Sequence, residues 1–330
     1  HAVVDCGPHG AMNCGHAHAD ALSIEITAHG CPLLVDPGAY TYTGSAADRD
    51  HFRSTGSHNT LTVDGRSSSI STGPFSWHSR SDARIEQWWA GEMADNLVAS
   101  HAGYTTLADD VLHRRQVIFI RSGYWVILDT VDGGPGRDAA VHFHLAVGAT
   151  VTAVSSTLAR IEACHGEHAV QALLLVGGDV EGLQWGEDWV SRAYGARERA
   201  PVASAHARGG RTQIVSAIVP VTGPGATTVE EIRVEGGLGL RVVRGRVSDT
   251  LLFRRDGSAR VGDMELAAGD TAVVRGSRGT DAVTSVALFG LDARLAVGKT
   301  QFHAQGGAEF LRVGNDWTVR GDGRVEVRDA

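Results

Sequence analysis

Gly15-His16-Ala17-His18-Ala19-Asp20 sets two imidazoles and a carboxylate at alternate positions. In an extended chain, residues two apart point to one side, so His16, His18 and Asp20 share a face and Ala17 and Ala19 take the other. That face continues as Leu22, Ile24 and Ile26, with Ser23, Glu25 and Thr27 opposite. Polar groups at the end of an apolar stripe are costly to bury unless paired, hydrogen-bonded or metal-bound. Two further candidates follow. Leu33-Leu34-Val35-Asp36-Pro37-Gly38 reads as an apolar strand ending in an acid at a turn, and Ser57-His58-Asn59-Thr60 opens the next strand with a histidine. His18, Asp36 and His58 would make an N,O,N donor set suited to Zn2+ with a fourth position open. The chain holds 16 histidines, and a lone His is more often structural than a ligand, so spacing alone leaves both readings open.

Chain geometry sets a condition on that donor set. If Ala28-His29-Gly30-Cys31 closes a tight hairpin, paired residues sum to 59 and Asp36 faces Ser23. His18 then lies five residues further along, roughly 16 Å away at the rise of a strand. Ligation therefore requires the segment Gly15 to His18 to leave the strand and fold back.

The elements that must position these residues are short. Leu61 and Val63 alternate with Thr60 and Thr62 before an Asp64-Gly65 turn. Gln116 to Ile120, Tyr124 to Leu128 and Ala140 to Leu145 are further β-rich runs, separated by Arg121-Ser122-Gly123 and by Asp132-Gly133-Gly134-Pro135-Gly136. Helices of 10–15 residues between strands, which a parallel α/β fold needs, are nearly absent. The pattern predicts an all-β, antiparallel β-sandwich. Pro220 to Gly225 is the expected boundary between a domain over 1–225 and a β-unit over 226–330. The latter contains strands such as Leu240 to Val243, Thr271 to Val274 and Trp317 to Val319, and is either separate or continuous with the first.

Bulk properties narrow the function classes. With 330 residues, 42% hydrophobic and 21% charged, the chain reads as globular. A net charge of −8 argues against nucleic acid or an anionic membrane as partner. Lysine occurs once, at Lys299, so the arginine excess reflects composition more than a binding role. No apolar run approaches the ~20 residues that span a bilayer. The chain opens on His1 without a signal-peptide pattern, as expected of part of a longer chain or a processed product. Cys6, Cys14, Cys31 and Cys164 form no C-x-x-C pair, and one disulfide or free thiols both fit.

Several separated motifs in one order carry a resemblance. Gly15-His-Ala-His-Ala-Asp20, Leu34-Val-Asp-Pro-Gly38, Phe52-Arg-Ser-Thr55 and Ser57-His-Asn-Thr-Leu-Thr-Val-Asp-Gly65 resemble the signature region of the heparinase II/III-like polysaccharide lyases. The likeness is close over about residues 3–65, persists loosely to Val141-His-Phe-His-Leu145, and is not seen beyond about 225. It implies that His18, Asp36 and His58 are zinc ligands and that His16 faces substrate beside the metal. It also implies β-elimination on an acidic, uronate-containing polysaccharide such as a glycosaminoglycan or alginate. An N-terminal α/α toroid, absent from this chain, would supply a tyrosine and an Asn or His. A periplasmic, cell-envelope or secreted location in a bacterium is implied as well.

Within the chain, His16 is the leading catalytic candidate, with Tyr40 and Tyr42 behind it and Arg53 as a substrate-carboxylate clamp. Each has a plainer reading. Tyrosines after a Pro-Gly turn are often packing residues, and Arg53 could instead hold Asp48 or Asp50. One of Trp88 and Trp89 should be core, because neighbours in a strand face opposite ways. His142 and His144 read as structural. Two other functions compete. A cupin-like metal enzyme also uses H-x-H, but wants a Glu four or five residues later, whereas the acids here are Asp20 and Glu25. A non-catalytic carbohydrate-binding module is the third.

Overall fold

Alternating apolar and polar residues become strand along most of the chain: strand makes up 65% and helix 3%. All pairings with a recorded register are antiparallel, as the all-β sandwich expectation requires. The computed structural model describes residues 1–105, 110–222, 225–279 and 282–329. The expected boundary segment includes residues 223 and 224, which lie outside the described residues. Two compact units emerge. The first comprises residues 1–88, 97–117 and 126–220, and the second 89–96, 118–125 and 221–330.

In the first unit, a three-stranded sheet (Ala2–Val4, Ile24–Ala28, Cys31–Leu34) carries the start of the candidate site. The tight hairpin pairs Ala28 with Cys31 and Thr27 with Pro32, then shifts by one residue so that Ile26 faces Leu34. The large sheet contains ten strands, including the hairpin of Val180–Ala193 and Ala196–Val221. In the second unit, a seven-stranded and a five-stranded sheet share one apolar layer. Leu252, Val274, Val286 and Phe310 from the larger sheet join Leu266, Leu295 and Phe302 from the smaller one. That is sheet-on-sheet packing.

Two expectations need revision. The stripe from His16 to Ile26 is not one strand: pairing begins at Ile24, and Leu22 sits at φ 64, which turns the chain out of the extended conformation. Asp132 to Gly136 does not separate two strands, because strand Tyr124–His144 runs through it. Gly133 leaves room for Val111, whose Cγ2 would lie 2.7 Å from an added Cβ. Gly136, at φ 80, takes the conformation that only glycine adopts cheaply. Of the two states left open for the cysteines, free thiols are found: all four are free. The Asp64-Gly65 turn, by contrast, is realised with φ 52 and φ 66, the hand that suits a two-residue hairpin. Trp88 is 62% exposed and Trp89 only 6%.

Candidate metal centre

Three chain segments meet at the site, each held by backbone bonds. Residues 15–23 form a loop in which Ala17 N–H reaches the Cys14 carbonyl (3.1 Å), Ala19 N–H the Arg53 carbonyl (2.8 Å) and Leu22 N–H the Asp5 carbonyl (2.7 Å). Thr55 Oγ1 donates to the Ala19 carbonyl (2.6 Å) and Thr60 Oγ1 to the Ala21 carbonyl (2.9 Å). The fold-back that ligation requires is therefore present. Helix Ala46–Phe52, N-capped by Ser45, leads into the short 3-10 turn Thr55–Ser57 that delivers His58.

His18 Nδ1 lies 3.1 Å from His58 Nε2, and His58 Nε2 lies 3.4 Å from Asp36 Oδ2. One donor atom from each residue falls within 4.8 Å of the other two. Two ligands about 2.0–2.1 Å from a tetrahedral zinc sit roughly 3.3 Å apart, so these donors fit one cation. The outer contacts agree. His58 Nδ1–H donates to the Ser54 carbonyl (2.8 Å), leaving the Nε2 lone pair aimed at the centre. Asp36 Oδ1 accepts from Gly38 N–H (2.8 Å), which fixes the carboxylate while Oδ2 turns inward. Burial, then the neighbouring His58 and Arg49, push the His18 pKa down to about 2, so the ring is held neutral, the form that ligates. Without a cation, Arg49 can donate to His18 Nε2 (3.3 Å). A cation would take the Nδ1 lone pair of His18, and Arg49 is anchored independently by its bonds to the Gly15 and Pro74 carbonyls (both 3.2 Å).

Asn59, unmarked by the sequence reading, ties the segments together. Its amide donates to the Val35 carbonyl (2.9 Å), its Oδ1 accepts from His144 N–H (2.6 Å), and its N–H meets Ser23 Oγ (3.1 Å). Behind it runs a fully buried polar chain. Gly103 N–H donates to His101 Nδ1 (3.1 Å), so His101 gives its Nε2–H to His113 Nδ1 (3.1 Å), and His113 gives its own to Asp129 (2.7 Å). Arg115 forks onto Asp129 (2.8 and 3.1 Å) and donates to the carbonyls of Leu22 (2.8 Å) and Asn59 (2.6 Å). Burial alone would raise the Asp129 pKa, but the Arg115 and His113 partners outweigh it and hold it at about 2.

The other sequence candidates fall in different places. His16 is exposed, edge-on to Tyr42 (5.1 Å between centroids) and near Phe75 (6.0 Å). Tyr42 stacks on Phe75 and on Tyr194 of the long hairpin (5.9 and 5.8 Å). Tyr40 stacks instead on Phe52 (5.4 Å), beneath Arg197. Arg53 is 2% exposed and its fork is taken by Asp50 and by the carbonyls of Gly73 and Pro74, so the contact it makes is the plainer of its two readings. Tyr194 went unmarked by sequence. Its hydroxyl pKa is lowered by the contact with Thr41 and the N–H of Tyr42.

His142 and His144 meet the Thr62 hydroxyl (3.0 Å) and the Gly56 carbonyl (3.0 Å), contacts of structural histidines. Burial is the main cause that pushes their pKa values down, to about 3 and about 4. Both lie below the value near 6.5 of an unfolded chain, so the unfolded state takes up the protons first. Their stability contribution is complete above pH ~6.5 and falls as pH is lowered toward 4, by about 1.4 kcal/mol per pH unit for each ring. Urea unfolding between pH 7 and 4.5 should show that decline, and a flat midpoint across the window would contradict the neutral assignment. Asp129, at about 2, stays charged throughout it.

With this geometry in view, comparison with known proteins is decisive. The profile described as heparinase II/III-like, C-terminal, matches residues 1–236. The chain belongs to the heparinase II/III-like family. A heparin-sulfate lyase of Pedobacter heparinus is 29% identical over 133 residues, 39% of this chain and 18% of that protein. One from Bacteroides stercoris is 26% identical over 149 residues, 44% of this chain and 20% of that protein. A solved heparinase III superposes with a TM-score of 0.59 at 22% identity, covering 73% of this chain and 37% of that one. The heparan sulfate lyase HepC of Pedobacter heparinus gives 0.57 at 21% identity, over 73% and 37%. The chain thus spans well under half the length of these relatives.

Proposed function

We propose that this chain is the metal-binding β-domain of a polysaccharide lyase, acting by β-elimination on a uronate-containing polysaccharide. The observation that carries the proposal is the convergence of His18, Asp36 and His58 within 4.8 Å, beside an exposed His16, in a chain of this family. His18, Asp36 and His58 would hold Zn2+, which supplies a crosslink between three segments and positive charge near an acidic sugar. In the elimination, a base takes the C5 proton, the C4–O bond breaks, a C4=C5 double bond forms, and an acid protonates the departing oxygen. His16 stands as the proton-transfer group of this chain: its ring meets only Tyr42 and Phe75 among the described residues, leaving its nitrogens free for substrate. Tyr42 sets the plane of that ring, and Tyr40 and Arg53 act as support.

The remaining groups would come from an N-terminal helical toroid, consistent with relatives much longer than this chain. Among the described residues no helix is long and apolar enough to cross a membrane. A periplasmic, envelope or secreted location fits a polymer substrate.

Incubation with heparan sulfate and with alginate, followed by ultraviolet absorbance of the 4,5-unsaturated product, tests the reading. Joined to the N-terminal helical toroid that the resemblance implies, the chain should form product; alone, it should form little or none. In the joined protein, His16→Ala should lower kcat by roughly 10²–10⁴, the usual loss for a general acid or base, with bound zinc unchanged. Loss of zinc together with activity would make His16 a structural residue instead.

A further inference from the structure

The hairpin of Val180–Ala193 and Ala196–Val221 carries Trp189, Arg197 and Arg199, which the elimination does not use. Trp189 pairs directly with Arg199, and strand alternation puts Arg197 on the same face. The Arg197 guanidinium lies 4.6 Å from the Tyr40 ring centroid and 4.3 Å from that of Trp189. Arg199 lies 3.8 Å from the Trp189 centroid. Tyr40, Arg197, Trp189 and Arg199 thus alternate ring, cation, ring, cation, beginning four residues beyond Asp36.

This hairpin is fixed to the metal loop. Ser191 N–H donates to the Pro37 carbonyl (2.7 Å), Gly195 N–H to the Tyr40 carbonyl (2.8 Å), and Tyr194 stacks on Tyr42. The two cations differ in what they have left to offer. Arg197 is paired with Asp48. Arg199 is exposed, and among the described residues its only hydrogen bond is a long one to the Glu187 carbonyl (3.4 Å). A guanidinium held 3.8 Å over an indole ring has already lost much of the side-chain freedom that binding would otherwise cost.

We infer that Arg199, held on Trp189, is a subsite for an oxyanion of the polysaccharide chain, either a sulfate or a uronate carboxylate, outside the metal centre. The inference rests on the lyase reading for the nature of the polymer. A chain with net charge −8 does not draw in a polyanion through its overall field, so a fixed local cation is needed. Planar, forked recognition of sulfate or carboxylate is what a pre-oriented guanidinium does best.

The test is equilibrium binding of a heparan sulfate oligosaccharide and of its desulfated counterpart to the full chain, to R199A and to R199K, at low and moderate salt. R199A should weaken binding roughly tenfold at low salt, less at moderate salt. R199K should recover only part, since the ammonium keeps the charge but not the fork or the stack. A loss confined to the sulfated ligand identifies sulfate as the group read, and an equal loss for both identifies the carboxylate. R199A binding both within twofold of the unsubstituted chain overturns the subsite while leaving the lyase reading to its product assay. Failure of the unsubstituted chain to bind either ligand overturns the subsite outright, and product formation by the joined protein would show that the lyase reading survives it.

Discussion

Asp129→Asn is expected to destabilise the chain by about 3–5 kcal/mol, the cost of breaking a buried ion pair by removing one partner. Asp129 is fully buried and accepts from both His113 and the fork of Arg115. The amide that replaces it offers one acceptor oxygen where two were used, and turns its NH2 toward a donor. The Arg115 charge is then left in the interior, where unpaired charge is least tolerated. Arg115 also clamps the carbonyls of Leu22 and Asn59, next to His58 and in the loop that carries His18. Loss of the carboxylate should therefore loosen the metal centre as well as the fold. Urea unfolding at pH 7 measures the first effect. A change below about 1 kcal/mol, the range of an exposed pair, would contradict the buried-network account.

His58→Ala is expected to lower zinc affinity by roughly 10²–10³-fold. Structural zinc sites are worth about 10–16 kcal/mol, so one ligand of the set carries roughly 3–4 kcal/mol. Asp36→Asn is the finer probe. It keeps an oxygen for the Gly38 N–H, which Asp36 Oδ1 accepts at 2.8 Å, and removes only the charge that Oδ2 brings to the centre. Weaker binding by about tenfold or more is expected, with folding intact. Competition against a chromogenic chelator reads both variants, and His303→Ala, far along the chain and paired with Asp292, serves as the control. Equal affinities for His58→Ala and the control would remove His58 from the ligand set.

Much of this was legible in the residues. Period-two alternation punctuated by glycine is a local signal, and it led correctly to an antiparallel β fold. The donor set could be named because H-x-H, Asp-Pro-Gly and Ser-His-Asn occur in order. Whether they meet was not legible, since the tight hairpin placed His18 far from Asp36. The loop that brings them together includes Leu22 at a left-handed φ of 64, which no propensity assigns to leucine, and is held by bonds to residues far along the chain, such as Ala19 N–H to the Arg53 carbonyl. Glycine misled at Asp132 to Gly136, where it serves close approach to Val111 and not a turn. Asn59, Arg49 and Tyr194 escaped notice for a common reason. Their partners lie 24 to 153 residues away, as in Asn59 to Val35 and Tyr194 to Thr41, and nothing in their own neighbourhood reveals those partners.

The central claim is that His18, Asp36 and His58 together hold one zinc ion. Anomalous scattering at the zinc edge, from crystals of the chain purified with equimolar zinc, tests it most directly. The account predicts one strong peak ~2.0–2.2 Å from His18 Nδ1, a carboxylate oxygen of Asp36 and His58 Nε2. A peak elsewhere, such as between His303 and Asp292, with none among these three residues, would contradict it.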